Sequence, residues 1–311
     1  MIAFGCSVSE AEPYVRYAAP GIALAREPGS QVLVFAAMDT ISRSYNLLLH
    51  AARECDDLEA LVLVHPHAEI ADPDLCAKVR TALSAPDVAI VGAAGASAVR
   101  SLAWWDAAVS CGAVTYSYTD YGGGSFAGFP WAAASRPPAE VEVVDGFVLA
   151  LSPWAVRNLR FDEQLVLGHG YDVDLCLQAR ATGRRVVTAD LAVIEHRSLD
   201  LISDLELWVE SHIALARKWG DELAGETPAS RALSPRQRAR RAEAERECAR
   251  AVAYFKRLGY DARVEALERS LSELTGTTPW RLTEPLRRIN KWRRDRAQAP
   301  ATAPPANGPM G

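Results

Sequence analysis

No stretch of about 18 uninterrupted apolar residues occurs in the chain, so it offers no membrane-spanning helix. No basic segment precedes the short apolar run in MIAFGCSVSEAEPY, which reads as a first strand rather than an export signal. The six cysteines, at positions 6, 55, 76, 111, 176 and 248, never form a Cys-x-x-Cys. That spacing removes the common zinc and dithiol motifs, and scattered reduced thiols of a cytoplasmic protein are the expectation. Also missing are Gly-x-Gly-x-x-Gly after the first strand, Gly-x-x-x-x-Gly-Lys-Ser/Thr and Gly-x-Ser-x-Gly. Dinucleotide dehydrogenases, P-loop NTPases and α/β-hydrolases thereby lose their specific support. No internal repeat is present.

What remains is globular. With 311 residues, 49% hydrophobic and 23% charged, the chain is long and apolar enough to bury a substantial core. The net charge of −5 hides an asymmetry: residues 231–296 carry 18 Lys and Arg against 9 Asp and Glu, so a basic tail follows an acidic body. An acidic body argues against nucleic acid as a partner. The tail remains able to touch an anionic surface, to dock on the body or to form a homodimer.

The first hundred residues alternate strand and helix signals. Ile2–Cys6, Gln31–Ala36, Leu61–Val64 and Asp87–Val91 are short apolar runs of the kind buried in parallel sheets. Residues 10–25 and 43–54 read as helices, the second with Leu47, Leu48 and Ala51 on one face. Asp72-Pro73-Asp74 supplies an N-cap and a proline at the first helical position for a helix to about residue 83. Residues 100–136 read as a long Gly-rich aromatic loop, with Tyr121 and Trp131 among its rings, of the kind that covers or lines a binding site. A strand at 141–151, helices at 172–182 and 204–220, and a strand at 185–189 follow. The expectation is a doubly wound α/β domain over 1–225, a basic helical extension over 226–296 and a disordered Ala/Pro tail over 297–311. Ligands of such sheets sit beyond the carboxyl ends of the strands.

Three constellations can carry chemistry. His65-Pro66-His67 follows directly from the strand LVLV, and residues two apart in extended chain point the same way, toward one metal or one phosphate. Glu69 is two residues further on that side. Asp172 and Asp174 open a helix behind Gly168-His169-Gly170-Tyr171; they read either as cap and first-turn acids or as a catalytic base with a companion. His196 ends LAVIEH at another strand end, and with His65 and His67 would complete a three-histidine divalent-metal set. Asp145-Gly146 suggests a bulge or close backbone approach, and Asp39 and Asp120 read equally as turn residues.

In order, SRSYNLLLHAA, LVLVHPHAEI, VAIVGAAGA, VDGFVLALSPWAVRNLRFDE and GYDVDLCLQARATGRRVVTADLAVIEH resemble the nucleotide-sugar-dependent glycosyltransferases of the GT-A fold, in the inverting group related to family 2. The likeness covers about residues 1–200 and points to a bacterial branch known as glycosyltransferase-like. It implies a Rossmann-like GT-A domain taking a nucleoside-diphosphate sugar as donor, with a glycan, a lipid-linked sugar or a small molecule as acceptor. His65-Pro66-His67 would occupy the place of the Asp-x-Asp motif, in a donor and metal region with Glu69 and Asp39. Asp172 would be the general base with Asp174 beside it, and His196 a third metal ligand. Asp145, Gly146, Tyr121 and Trp131 would face the acceptor. Relatives carry Asp at the second motif position, where this chain has His. Imidazole suits Mn²⁺ better than Mg²⁺, so the resemblance leaves open a His-bound metal, a metal-free site or a catalytically inactive binding scaffold. The Gln-x-x-Arg-Trp signature of processive members is absent. Cytoplasmic placement, with peripheral contact at the inner membrane face, completes the expectation.

Overall fold

The computed structural model describes residues 1–99, 101–104, 109–118, 129–132, 138–165, 169–197 and 205–223, with short pieces at 264–265, 267–269 and 271–272. The chain divides into two compact units, Met1–Tyr260 and Asp261–Gly311.

In the first unit, β1 (Ile2–Val8) leads into a helical run made of α1 (Ala11–Pro13), a π-helical turn (Tyr14–Ala18) and α2 (Ala19–Ala25). Then come β2 (Gln31–Ala36), α3 (Ile41–Arg53), β3 (Ala60–Val64), β4 (Ala68–Ile70), α4 (Leu75–Ala82), β5 (Val88–Gly92) and β6 (Ala94–Ser97). β7 (Val109–Tyr118), β8 (Phe129–Ala132), β9 (Ala139–Val141), β10 (Val143–Val144) and β11 (Val148–Leu151) follow. The unit's described elements end with α5 (Pro153–Asn158), α6 (Tyr171–Ala181), β12 (Arg185–Thr188), β13 (Val193–Arg197) and α7 (Leu205–Leu223).

These elements make the expected mixed α/β fold. One seven-stranded sheet runs β2-β1-β3-β11-β5-β12-β9, and a second of six strands runs β10-β6-β7-β13-β4 with β8 added on β7. β1 pairs in parallel with β2 and β3. β11 is antiparallel to both its neighbours, β3 and β5. Covered on both faces, β3, β5 and β11 are buried at every position, which is why they read as unbroken apolar runs. Edge strand β2 is only half-buried.

Local chemistry explains most boundaries. Thr40 caps α3, its hydroxyl accepting from the Arg43 N–H at 3.1 Å. The buried stripe of α3 is Tyr45, Leu48, Leu49 and Ala52; Leu47, expected inward, is exposed. The expected start of α4 is corrected by two residues. Asp72 accepts from the Asp74 N–H at 2.9 Å in a turn of its own, and Asp74 is the N-cap. The stretch read as one long loop contains β7 and β8, paired from Ala113–Ala132 to Tyr116–Phe129. The strand read over 141–151 is broken in three, by a bend at Glu142 and by a turn at Asp145–Phe147. In the second unit, Val264, Leu267 and Leu271 are exposed on helical residues. Tyr121, Asp120, the boundary near 225 and the Ala/Pro tail lie outside the described residues. Among those described, no helix is long and apolar enough to cross a membrane.

Candidate functional site

The turn at Asp145–Phe147 leaves the second sheet through β10 and enters the first through β11. At one end the His65 N–H donates to the Phe147 carbonyl at 2.9 Å, fixing the exit of β3. At the other the Gly146 N–H donates to Asp172 Oδ2 at 2.8 Å. The histidine motif and the acid at the start of α6, more than a hundred positions apart, are thus fastened to adjacent residues of one turn. Asp145 completes it: Oδ1 accepts from the Phe147 N–H at 3.3 Å and Oδ2 from the Trp104 indole at 3.1 Å.

Gly170 sits at φ 82°, a left-handed conformation natural to glycine, and turns the chain into α6. Tyr171 follows, its hydroxyl donating to the Gly146 carbonyl at 3.3 Å. The approach is close: a Cβ on residue 146 would lie 2.4 Å from that hydroxyl. Burial, then Tyr45, Asp172, Asp145 and Glu195 around it, push the Tyr171 phenol well above its ordinary range. Asp172 also accepts from its neighbour's N–H, Val173, at 2.8 Å. Two such bonds favour the carboxylate, yet burial outweighs them and raises Asp172 to about 6.

Asp174 is not a companion to Asp172. Two positions along a helix are about 200° apart, and Asp174 turns away into a fully buried junction. Its Oδ1 takes the Trp219 indole N–H at 2.6 Å and the Lys218 ammonium at 2.8 Å, and its Oδ2 takes Gln178 at 2.7 Å. Lys218 also reaches Asp162 at 2.6 Å, and Gln178 donates to the Arg160 carbonyl at 2.8 Å. Asp174 therefore ties α6, the 160–162 segment and α7 together. A groove of about 500 Å³ opens beside this junction, lined by Asn46, Glu163, Gln164 and Lys218 among others.

The three histidines gather, as the spacing suggested, but not as a ligand set. The His65 and His67 rings stack at 5.5 Å, 26° apart, and His65 Nδ1 accepts the His67 backbone N–H at 3.3 Å. Burial first, and His67 second, hold His65 down to about 4, so it is neutral. The His196 N–H donates to the His67 carbonyl at 2.9 Å, which brings β13 alongside β4. The His196 ring lies flat on Tyr17 at 3.6 Å and meets Glu69 through Nε2 at 2.7 Å, while its Nδ1 is buried without a partner. Burial depresses His196 although Glu69 opposes it.

A metal at this position therefore finds little to hold it. His65 spends its lone pair on a backbone N–H, the His196 Nε2–H is given to the Glu69 carboxylate, and the other His196 nitrogen, which carries that ring's lone pair, is sealed. Among the described residues, no group of three or more His, Cys, Asp or Glu side chains is placed to bind a metal ion. Asp39 stands in solvent beyond β2, ion-paired with Arg43 at 3.0 Å. Trp131 lies on β8, across from Val114. Sequence reasoning missed Glu195: strand alternation sends it to the opposite face from His196, within electrostatic reach of Tyr171. The alternation in VIEHR was visible, but not which face was which.

Comparison with known proteins gives these features a setting. Residues 22–201 match the model of a glycosyltransferase-like family. The streptomycin biosynthesis protein StrF of Streptomyces griseus is 29% identical over 237 residues, 74% of this chain and 78% of that one. Among solved structures, a mannosyltransferase of Pyrobaculum calidifontis, in complex with GDP-Man and Mn²⁺, superposes with a TM-score of 0.43 at 13% identity, over 90% of this chain and 81% of that one. GalNAc-T7 with UDP, GalNAc and Mn²⁺ gives a TM-score of 0.48 at 9% identity, over 72% of this chain and 49% of that one.

Proposed function

Because the chain belongs to the glycosyltransferase-like family that its residues 22–201 match, we propose that it moves a sugar from a nucleoside diphosphate to an acceptor hydroxyl with inversion, using Asp172 as general base. The observation that carries this reading is the raised Asp172, held by the turn that also anchors the end of β3. A base is most effective when its pKa lies near the working pH, and about 6 is far closer to neutrality than an ordinary aspartate. The two N–H bonds it accepts orient the carboxylate and leave acceptor capacity on both oxygens for an incoming hydroxyl.

In the displacement, Asp172 takes the acceptor's proton as that oxygen bonds to the anomeric carbon. The bond to the diphosphate breaks on the opposite face, and its electrons leave with the phosphate oxygen. Asp145 and Gly146 border the acceptor side, with Trp104 held against Asp145. A small-molecule acceptor agrees with a relative named for streptomycin biosynthesis. The residues present do not fit a metal, and no step of this scheme passes through one.

The test has two stages. Thermal shift with UDP, GDP and TDP, each with EDTA or Mn²⁺, should show stabilisation by at least one nucleotide. Incubation with a panel of nucleotide sugars should then show slow donor hydrolysis. If no nucleotide stabilises the protein, the donor reading fails. Binding without hydrolysis of any donor would instead favour the inactive scaffold.

A further inference from the structure

We propose that His65 meets the donor's diphosphate as a hydrogen-bond donor, through Nε2–H, and coordinates no metal ion. The inference rests on the sugar-transfer reading and deepens it by assigning the chemistry of the diphosphate site. A neutral imidazole carries one proton and one lone pair. In His65 the lone pair is at Nδ1, where it accepts the N–H of its own neighbour but one, His67. The proton must then be on Nε2. A metal at Nε2 would require the proton to move to Nδ1, where it would face the His67 N–H head on.

That N–H lies in a motif that cannot easily rearrange. Pro66 stiffens the turn, the Ala68 N–H closes it on the His65 carbonyl at 2.8 Å, and the His65 N–H is held by Phe147. The tautomer is thus built into the backbone. A fixed N–H directed at an oxyanion stabilises charge without reorganisation, which is what departure of a diphosphate needs. His196 and Glu69 fit the same arrangement: bonded to each other, with the His196 ring packed on Tyr17, they brace the neighbouring strand pair and leave no carboxylate pair for a cation.

Nitrogen-15 NMR of the histidines, with His65 assigned by its loss in His65→Phe, reads the tautomer directly in the full chain. Nδ1 should be unprotonated and Nε2 protonated; a protonated Nδ1 overturns the proposal. UDP and GDP binding by calorimetry supplies the second readout. Affinity in EDTA should match that in Mn²⁺ within about twofold, and His65→Phe, which keeps the stacked ring, should lose about tenfold in either buffer, as expected for a bond to a charged group. Binding that needs Mn²⁺, with that need lost in His65→Phe, overturns this inference and leaves sugar transfer standing. No binding of either nucleotide in either buffer, together with none by TDP, sinks both.

Discussion

Asp172 and His65 titrate in opposite senses, and stability against pH should expose both. Burial raises Asp172 to about 6 from an unfolded value near 3.9, so the folded state holds that proton more tightly. The stability it contributes is present below about pH 4 and is lost as pH rises through about 6. His65 is depressed to about 4 from about 6.5, so its contribution is present above about 6.5 and is lost as pH falls towards 4. Each effect is worth about 3 kcal/mol, and between pH 4 and 6 they oppose. Urea melts of Asp172→Asn should therefore show stability climbing with pH over that window. In His65→Phe it should fall with pH, and the parent protein should change less than either. Parallel slopes in the two variants would remove the assignment.

Catalysis separates the same residue differently. Asp172→Asn should lower turnover by about 10²–10⁴-fold, the range of a general base, while nucleotide affinity stays within twofold. Turnover of the unchanged protein should rise with pH to a plateau above about 6. Survival of activity in Asp172→Asn would place the base elsewhere. Gly146→Ala should cost about 1–3 kcal/mol, since its Cβ drives into the Tyr171 ring. Its turnover should fall further than its melting temperature suggests, because the Gly146 N–H that orients Asp172 must move.

Among elements, α7 is fastened to α6 through the buried carboxylate of Asp174. Lys218→Met leaves Asp174 buried without its cation and should cost about 3–5 kcal/mol in chemical unfolding. Asp174→Asn keeps an acceptor for Trp219 or Gln178 and should cost less. Equal losses would mean that the charge contributes little. How far each element was legible follows from its environment. β3 and β5 announced themselves because burial on both faces removes every polar residue. β7 and β8 did not: Gly112, Pro130 and their aromatics also suit loops, and pairing between distant segments has no local signature. The two acids of α6 looked like a pair because sequence spacing carries no angle, whereas a helix sends them to opposite sides. The start of α6, where Asp172 lies, was readable from the glycines before it. The meeting of His65 with Phe147 was not, since it depends on β11 entering the sheet in reverse.

At the level of the whole molecule, charge is divided as well as mass. The 18 basic residues of 231–296 against 9 acidic ones predict that any contact with an anionic bilayer is made by that segment, at about 1 kcal/mol per cation near the surface. Flotation with phosphatidylglycerol vesicles should retain the full chain at low salt and release it as salt rises. A chain ending at residue 230 should fail to float. Equal flotation of both would move the contact to the acidic body.

The insertion of β11 between β3 and β5 also dictates a timetable. As the polypeptide leaves the ribosome, residues 60–64 and 88–92 are already synthesised, yet they cannot be joined until residues 148–151 emerge. Until then the nascent chain displays two bare apolar strand edges, the condition that invites clumping and chaperone capture. A fragment ending at residue 140 should therefore be insoluble or unfolded when expressed alone, and the turn that joins His65 to Asp172 is among the later features of the molecule to come into existence.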